Sequence, residues 1–240
     1  MLLHLHSLLF LLLTVTGPAE VKLLVQRMES RYRSARTLQA TFLERYLENG
    51  NVVRVEAGIA YFRHPGKMRW EYQSPEKNVF LVDGKSAWFY VPADHTVTRV
   101  PAKDSSDWRT PLALLAGEMK ISRLCARIIS SAKEKPEAAG NVVLACELRG
   151  AASAKREQSA QQPSFQSSAP AESVFFEVAK DSGALVKVSV RDPGGVGVEF
   201  HFANWQFDPP LADALFQFDP PPGVAIVNGE LSVPDAGTKP

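Results

Sequence analysis

Few side chains in this sequence are equipped for chemistry, and those few do not assemble into a reaction. Asp94 and His95 adjoin and Asp107 follows further on, which supplies a base and an acid for proton transfer. A Ser–His–Asp hydrolase also needs its serine raised on a strained strand-to-helix turn, and the Gly-x-Ser-x-Gly signature of that turn is missing. His4 and His6 fall inside an apolar leader and are not read as a metal site. His201 lies in a strand on the same side as Trp205, where placement in the core or at the surface is a better expectation than ligation. Cys125 and Cys146 can form one disulfide if the chain is exported, since their segments, residues 121–129 and 142–148, both read as strands. Two reduced, buried thiols are the alternative, because sequence does not give the Cα separation. No catalytic residue, metal or cofactor is expected.

The strongest pattern is apolar. Met68, Trp70 and Tyr72 alternate with Lys67, Arg69 and Glu71, so one face of that strand is greasy and the other wet. An aromatic face with no nucleophile or ligand set beside it suits a sheet that holds something apolar. Phe42, Met68, Trp70 and Trp88 are the candidate walls of such a cavity, with ordinary core packing as the competing account of each.

Composition bounds the elements that must position these residues. The chain has 240 residues, 45% of them hydrophobic, and carries 27 basic against 26 acidic side chains, a net charge of +1. That balance creates no field for nucleic acid. The length suits one large β domain or two small ones, and 17 prolines suit strands and turns better than a helical bundle. Residues 2–15 are apolar, with an unbroken run at 8–13, and Gly17-Pro18-Ala19 supplies the small residues of a cleavage site. Residues 1–19 therefore read as a cleaved signal peptide, too short for a comfortable membrane span, although the leader begins without Lys or Arg. An uncleaved anchor is the alternative.

An amphipathic helix follows over residues 19–35, with Val21, Leu24, Val25, Met28 and Tyr32 at helical spacing. Strand patterns then succeed one another. Leu38, Ala40 and Phe42 share a face; Asn49-Gly50 turns the chain; Val53, Val55, Ala57, Ile59 and Tyr61 alternate with Arg54, Glu56 and Gly58. Further strands are expected at 67–73, 78–82, 86–91 and 95–100, joined by tight turns into an antiparallel meander. Residues 110–117 read as a short helix, apolar nearly all round, that must be buried or must cover a greasy opening. Leu112, Leu114 and Leu115 are its lid candidates, a packed core helix being the plainer account. Strands resume at 121–129, 142–148, 173–179, 184–191, 197–207 and 215–218. Residues 151–172, rich in Ala, Ser and Gln, read as a disordered insert, and the tail over 228–240 as mobile.

Several landmarks together resemble the periplasmic lipoprotein carrier family, LolA. They are the N-terminal helix before Leu38-Gln39-Ala40-Thr41-Phe42; Pro65-Gly66-Lys67-Met68-Arg69-Trp70-Glu71-Tyr72; Asp83-Gly84-Lys85 leading to Trp88-Phe89-Tyr90-Val91-Pro92; Thr110-Pro111-Leu112; and Phe216-Gln217-Phe218 with Pro221-Pro222-Gly223-Val224. Each is weak alone, but their order and spacing over residues 20–227 make the set specific.

The resemblance implies a mainly β fold: an incomplete antiparallel β-barrel, or half-barrel, with an N-terminal helix and a short central helix acting as a lid over an apolar cavity. It implies a monomeric periplasmic chaperone, not an enzyme. Such a protein takes lipoprotein acyl chains from an inner-membrane lipoprotein-releasing transporter and delivers them towards the outer membrane, where a dedicated acceptor can receive them. The family places an Arg directly before the strand-ending Pro, as a latch to the lid. Here that position is His64, and Arg63 stands one residue earlier, where a one-residue slip turns a side chain to the other face. If His64 is the latch, protonation near the ordinary histidine value of about 6.5 would tune closure; a solvated strand end is the alternative for both residues. The competing functions are a lipoprotein-sensing regulatory module with a similar barrel, a non-catalytic periplasmic lipid-binding protein such as a static acceptor, and an enzyme acting on lipids.

Overall fold

The computed structural model describes residues 17–104, 110–117, 119–149, 173–192 and 194–228. Most of the expected signal peptide, Asp107, the insert at 151–172 and the tail beyond residue 228 lie outside them. The first element is helix α1 (Pro18–Arg33). Pro18 opens it at a position whose N–H would have no helical partner, and the Glu20 carboxylate accepts the Gly17 N–H at 3.2 Å. Its buried stripe is Val21, Leu24, Met28 and Tyr32, as the spacing predicts. Tyr32 anchors the helix to the sheet by accepting the Leu185 N–H at 2.8 Å, and burial pushes its pKa up to about 12.

The strands are β1 (Thr37–Glu48), β2 (Asn51–Arg63), β3 (Lys67–Ser74), β4 (Val79–Val82), β5 (Ser86–Val91), β6 (Thr96–Pro101), β7 (Cys125–Ser130), β8 (Asn141–Leu148), β9 (Ser173–Ala179), β10 (Leu185–Arg191), β11 (Val196–Phe207) and β12 (Ala225–Asn228). They form one sheet in the order β12-β6-β5-β4-β3-β2-β1-β11-β10-β9-β8-β7. Two antiparallel meanders thus meet where β1 pairs with β11, and among the described residues only the short β12 is parallel to its neighbour, β6. The sheet does not close on itself, so the architecture is the expected half-barrel. At the β1–β2 turn Asn49 (φ 51) and Gly50 (φ 82) both adopt the left-handed conformation that a tight hairpin requires.

Pairing to β1 decides which side of β2 faces inward. Leu38, Ala40 and Phe42 oppose Phe62, Ala60 and Gly58, so these line the concave face. The longer apolar set, Val53, Val55, Ala57, Ile59 and Tyr61, faces outward, and Val53 and Val55 are exposed. Gly58 is required by contact: a Cβ there would stand 1.9 Å from the Glu71 carbonyl oxygen and 3.0 Å from the Phe42 ring.

Two expected strands are corrected. Residues 121–129 begin with one helical turn, α2 (Ile121–Leu124), before β7, because the Ile121 N–H is drawn 2.8 Å to the Glu29 carboxylate of α1. Residues 215–218 are not a strand: Asp213–Phe216 forms a 3-10 helix, and chain pairing waits until β12. Prolines at 209, 210 and 220–222 flank that stretch and withhold ladder donors. Residues 208–224 instead run along the outer face as a strap. Arg63 binds Asp213 and the Leu211 carbonyl and lies over the Phe216 ring at 4.7 Å.

The outer face of β9–β11 is covered by the β7–β8 connection through ion pairs. Lys187 reaches Glu137 at 2.9 Å and the fully buried Glu177 at 3.3 Å, and Arg191 reaches Glu134 at 3.2 Å and Glu199 at 3.0 Å. His201 lies 3.4 Å from both Glu137 and Glu199, and with Lys187 and Arg191 it holds the Glu199 carboxyl below the ordinary carboxylate range. His201 and Trp205 therefore face opposite ways, against expectation. Asn204 between them has φ 55, and the β1–β11 register slips at the same place.

Candidate functional site

The concave face is built from side chains two residues apart on neighbouring strands. It brings together Phe42, Met68 and Trp70 of the expected wall. Trp70 is its centre. Its ring centroid lies 4.8 Å from Phe42, 5.8 Å from Phe62, 5.3 Å from Phe200 and 6.0 Å from Phe202, all in tilted or edge-on geometry. Trp70 is fully buried and its indole N–H has no hydrogen-bond partner among the described residues, which costs about 1–3 kcal/mol in the folded protein. Phe62, Phe200 and Phe202 were not singled out from the sequence. Their signal was present in the period-two spacing of Phe200 and Phe202, while the pairing of Phe202 with Phe42 is seen only in the fold.

Trp88 does not belong to this face. On β5 the inward residues are Ala87 and Phe89, so Trp88 points outward. It stacks on Phe218 of the strap at 5.3 Å, donates to Asp83 at 2.9 Å and lies under Arg99 at 4.8 Å. It helps to seat the strap and is not a cavity wall.

The 3-10 helix Thr110–Leu115 contributes to the same apolar core. Leu112 and Leu115 are fully buried in that core, while Leu114 is partly buried against it. The β2–β3 turn grips the end of this helix: Gly66, at φ 68, donates its N–H to the Ala116 carbonyl at 2.6 Å. His64 abuts the same segment beside Gly117, with its backbone N–H on the Arg36 carbonyl at 3.0 Å. Its Nε2 is buried with no partner among the described residues, and burial pushes its pKa below 6.5 against the opposing pull of Gly117 and Asp208. Arg63 points to the outer strap. Of the two latch candidates, His64 is therefore the one that meets the segment 110–117.

At the opposite end of the half-barrel the concave face turns polar. Glu44 continues the inward series of Leu38, Ala40 and Phe42, is fully buried, and accepts the Tyr72 hydroxyl. Glu56 opposes it on β2, and Arg54 lies 3.6 Å from Glu56 and 3.9 Å above the Tyr46 ring. A cavity of about 250 Å³ opens there, floored by Tyr72 and Phe89. Among the described residues no cluster of three or more His, Cys, Asp or Glu side chains is arranged for a metal ion. Cys125 and Cys146 are bridged, with Cα atoms 5.3 Å apart, which ties β7 to β8 at the far edge of the sheet.

A half-closed antiparallel sheet with an aromatic inner face, capped by short helices, defines a class of open-barrel proteins with a coverable interior. The chain belongs to the family of outer membrane lipoprotein carrier proteins, LolA. The family's model matches residues 33–138. The outer-membrane lipoprotein carrier protein of Nitrosomonas europaea is 30% identical over 208 residues, covering 85% of this chain and 88% of that one. The protein of the same description from Nitrosospira multiformis is 34% identical over 119 residues, which span 48% of this chain and about half, 55%, of that relative. Among solved structures, an uncharacterized conserved protein from Thermus thermophilus shares the fold at 13% identity and a TM-score of 0.50, over 87% of this chain and 98% of that one.

Proposed function

We propose that this protein is a periplasmic carrier that shelters lipoprotein acyl chains on its concave face and moves lipoproteins from the inner to the outer membrane without covalent chemistry. Residues 1–19 are its cleaved export signal, and the Cys125–Cys146 bridge suits an oxidising compartment. Its partners are an inner-membrane releasing transporter and an outer-membrane acceptor. An acyl chain exposed to water costs about 0.8 kcal/mol per CH₂, so a lipoprotein needs a dry shelter to cross an aqueous space.

The observation that carries this reading is the aromatic inner face, with a short apolar segment buried in the same core. Leu112 and Leu115, on a helix of six residues, are fully buried in the same apolar core as Trp70. So short a helix has little stability of its own, and its leucines are chemically interchangeable with acyl CH₂ groups. Lifting the segment exposes Phe42, Met68 and Trp70 to the incoming chain, and reclosing expels it. The buried indole N–H of Trp70 then has a partner in an acyl ester carbonyl. His64 and Gly66, at the end of the lid segment, hold the closed state.

The test is release. Purified protein incubated with inner-membrane vesicles that hold a lipoprotein and its releasing transporter should bring that lipoprotein into solution as a one-to-one complex. No soluble complex, beside a working control carrier, would remove the transport reading.

A further inference from the structure

The polar end of the half-barrel holds an element that carrying fatty chains does not require. The cavity of about 250 Å³ is lined by Glu56, Glu76 and Asp94, with Arg54 as the only cation among its lining residues, and it meets the aromatic interior through Tyr72 and Phe89. Tyr72 touches Phe42 at 5.1 Å, and Phe89 packs on the core. Asn78 also lines it. Asn78 is 8% exposed, and its side-chain Oδ1 is buried with no hydrogen-bond partner among the described residues. A buried amide oxygen left in that condition costs about 1–3 kcal/mol, a cost that a ligand N–H removes.

We propose, resting on the carrier reading above, that this cavity is a headgroup filter that accepts the first peptide groups of an acylated protein and rejects phospholipid. A peptide presents N–H donors and C=O acceptors in alternation. Asn78 Oδ1 and the carboxylates receive the first, and the Arg54 guanidinium serves the second. A phosphodiester presents only acceptors and a negative charge, and it meets three carboxylates against one guanidinium. Acyl chains alone cannot distinguish a lipoprotein from the membrane lipids around it, because their CH₂ groups are the same. Discrimination must come from the polar end, and it is built here from a repulsive element as well as an attractive one.

Competition binding to the full-length purified protein tests this with palmitoyl probes, the first two matched in chain number: an N-acetyl-S-(dipalmitoylglyceryl)cysteinyl-serine amide, dipalmitoylphosphatidylglycerol and methyl palmitate. The natural chain should prefer the lipopeptide over the phosphatidylglycerol. Asn78→Leu should weaken lipopeptide binding by about tenfold and leave methyl palmitate unchanged. Glu76→Gln with Asp94→Asn, both at exposed positions and so neutral to folding, should tighten phosphatidylglycerol by about fivefold. Equal affinity for the lipopeptide and the phosphatidylglycerol, or variant effects uniform across all three probes, would overturn the filter while leaving the carrier intact. Failure of the natural chain to bind any of the three would overturn both.

Discussion

Gly58 and His64 show how much one position decides. At Gly58 the backbone of β3 comes so close that a methyl group would meet the Glu71 carbonyl oxygen at 1.9 Å. Gly58→Ala should destabilise the protein by about 2–3 kcal/mol in urea unfolding, as overpacking does. A neutral result would mean that the β2–β3 approach is looser than it stands. His64 is a titration argument. Burial lowers its pKa, so the folded protein holds the imidazole neutral below the pH at which the unfolded chain releases its proton. The unfolded chain then binds more protons, and stability is full above about pH 6.5 and lost as pH falls through that value towards the lowered folded one. The switch sits lower than an unperturbed histidine would place it. Thermal unfolding from pH 5 to 8 should show a loss of stability on the acid side that is absent in His64→Gln; identical profiles would remove His64 from the account.

At the scale of elements, the lid segment separates carriage from plain core packing. Truncating a fully buried leucine costs about 2–5 kcal/mol whatever the element does. If the leucines also compete with acyl chains for the aromatic face, the same truncation weakens the competitor. Leu115→Ala should therefore lower stability and tighten acyl-chain binding together, read by unfolding and by a fluorescent fatty-acyl probe. Lower stability with unchanged or weaker binding would make the segment ordinary core. The outer strap behaves differently. Arg63, Trp88 and Phe218 fix residues 208–224 to the convex side, away from that exchange.

At the scale of the molecule, the Cys125–Cys146 bridge acts on the whole folding equilibrium, because it restrains the unfolded chain. The two residues are 21 apart in sequence, and closing a loop of that size contributes about 3 kcal/mol. Replacing both by Ala should lower the unfolding free energy by about that amount, with the concave face and its ligand binding retained. Loss of binding at full folding would tie the edge hairpin to the site in a way its distant position in the sheet does not.

Period two, helical spacing and turn chemistry are properties of neighbours in the chain. By themselves they determined α1, the inward Met68–Trp70–Tyr72 series, most strand limits and the tight turns, and the ordered landmarks were enough to point to the family. Alternation also placed Glu44 inward, although a carboxylate in an apolar row drew no attention there. What it could not supply is pairing. Only the register of β1 against β2 turned Val53 and Val55 outward and Phe62 inward, and only the left-handed Asn204 set His201 and Trp205 on opposite faces. Trp88 was misplaced for the same reason, since either face of β5 offered an apolar partner until the strap covered one of them. The disulfide, the ion pairs over β9–β11 and the polar cavity join residues far apart in sequence, and such contacts exist only once the two meanders have met along β1 and β11.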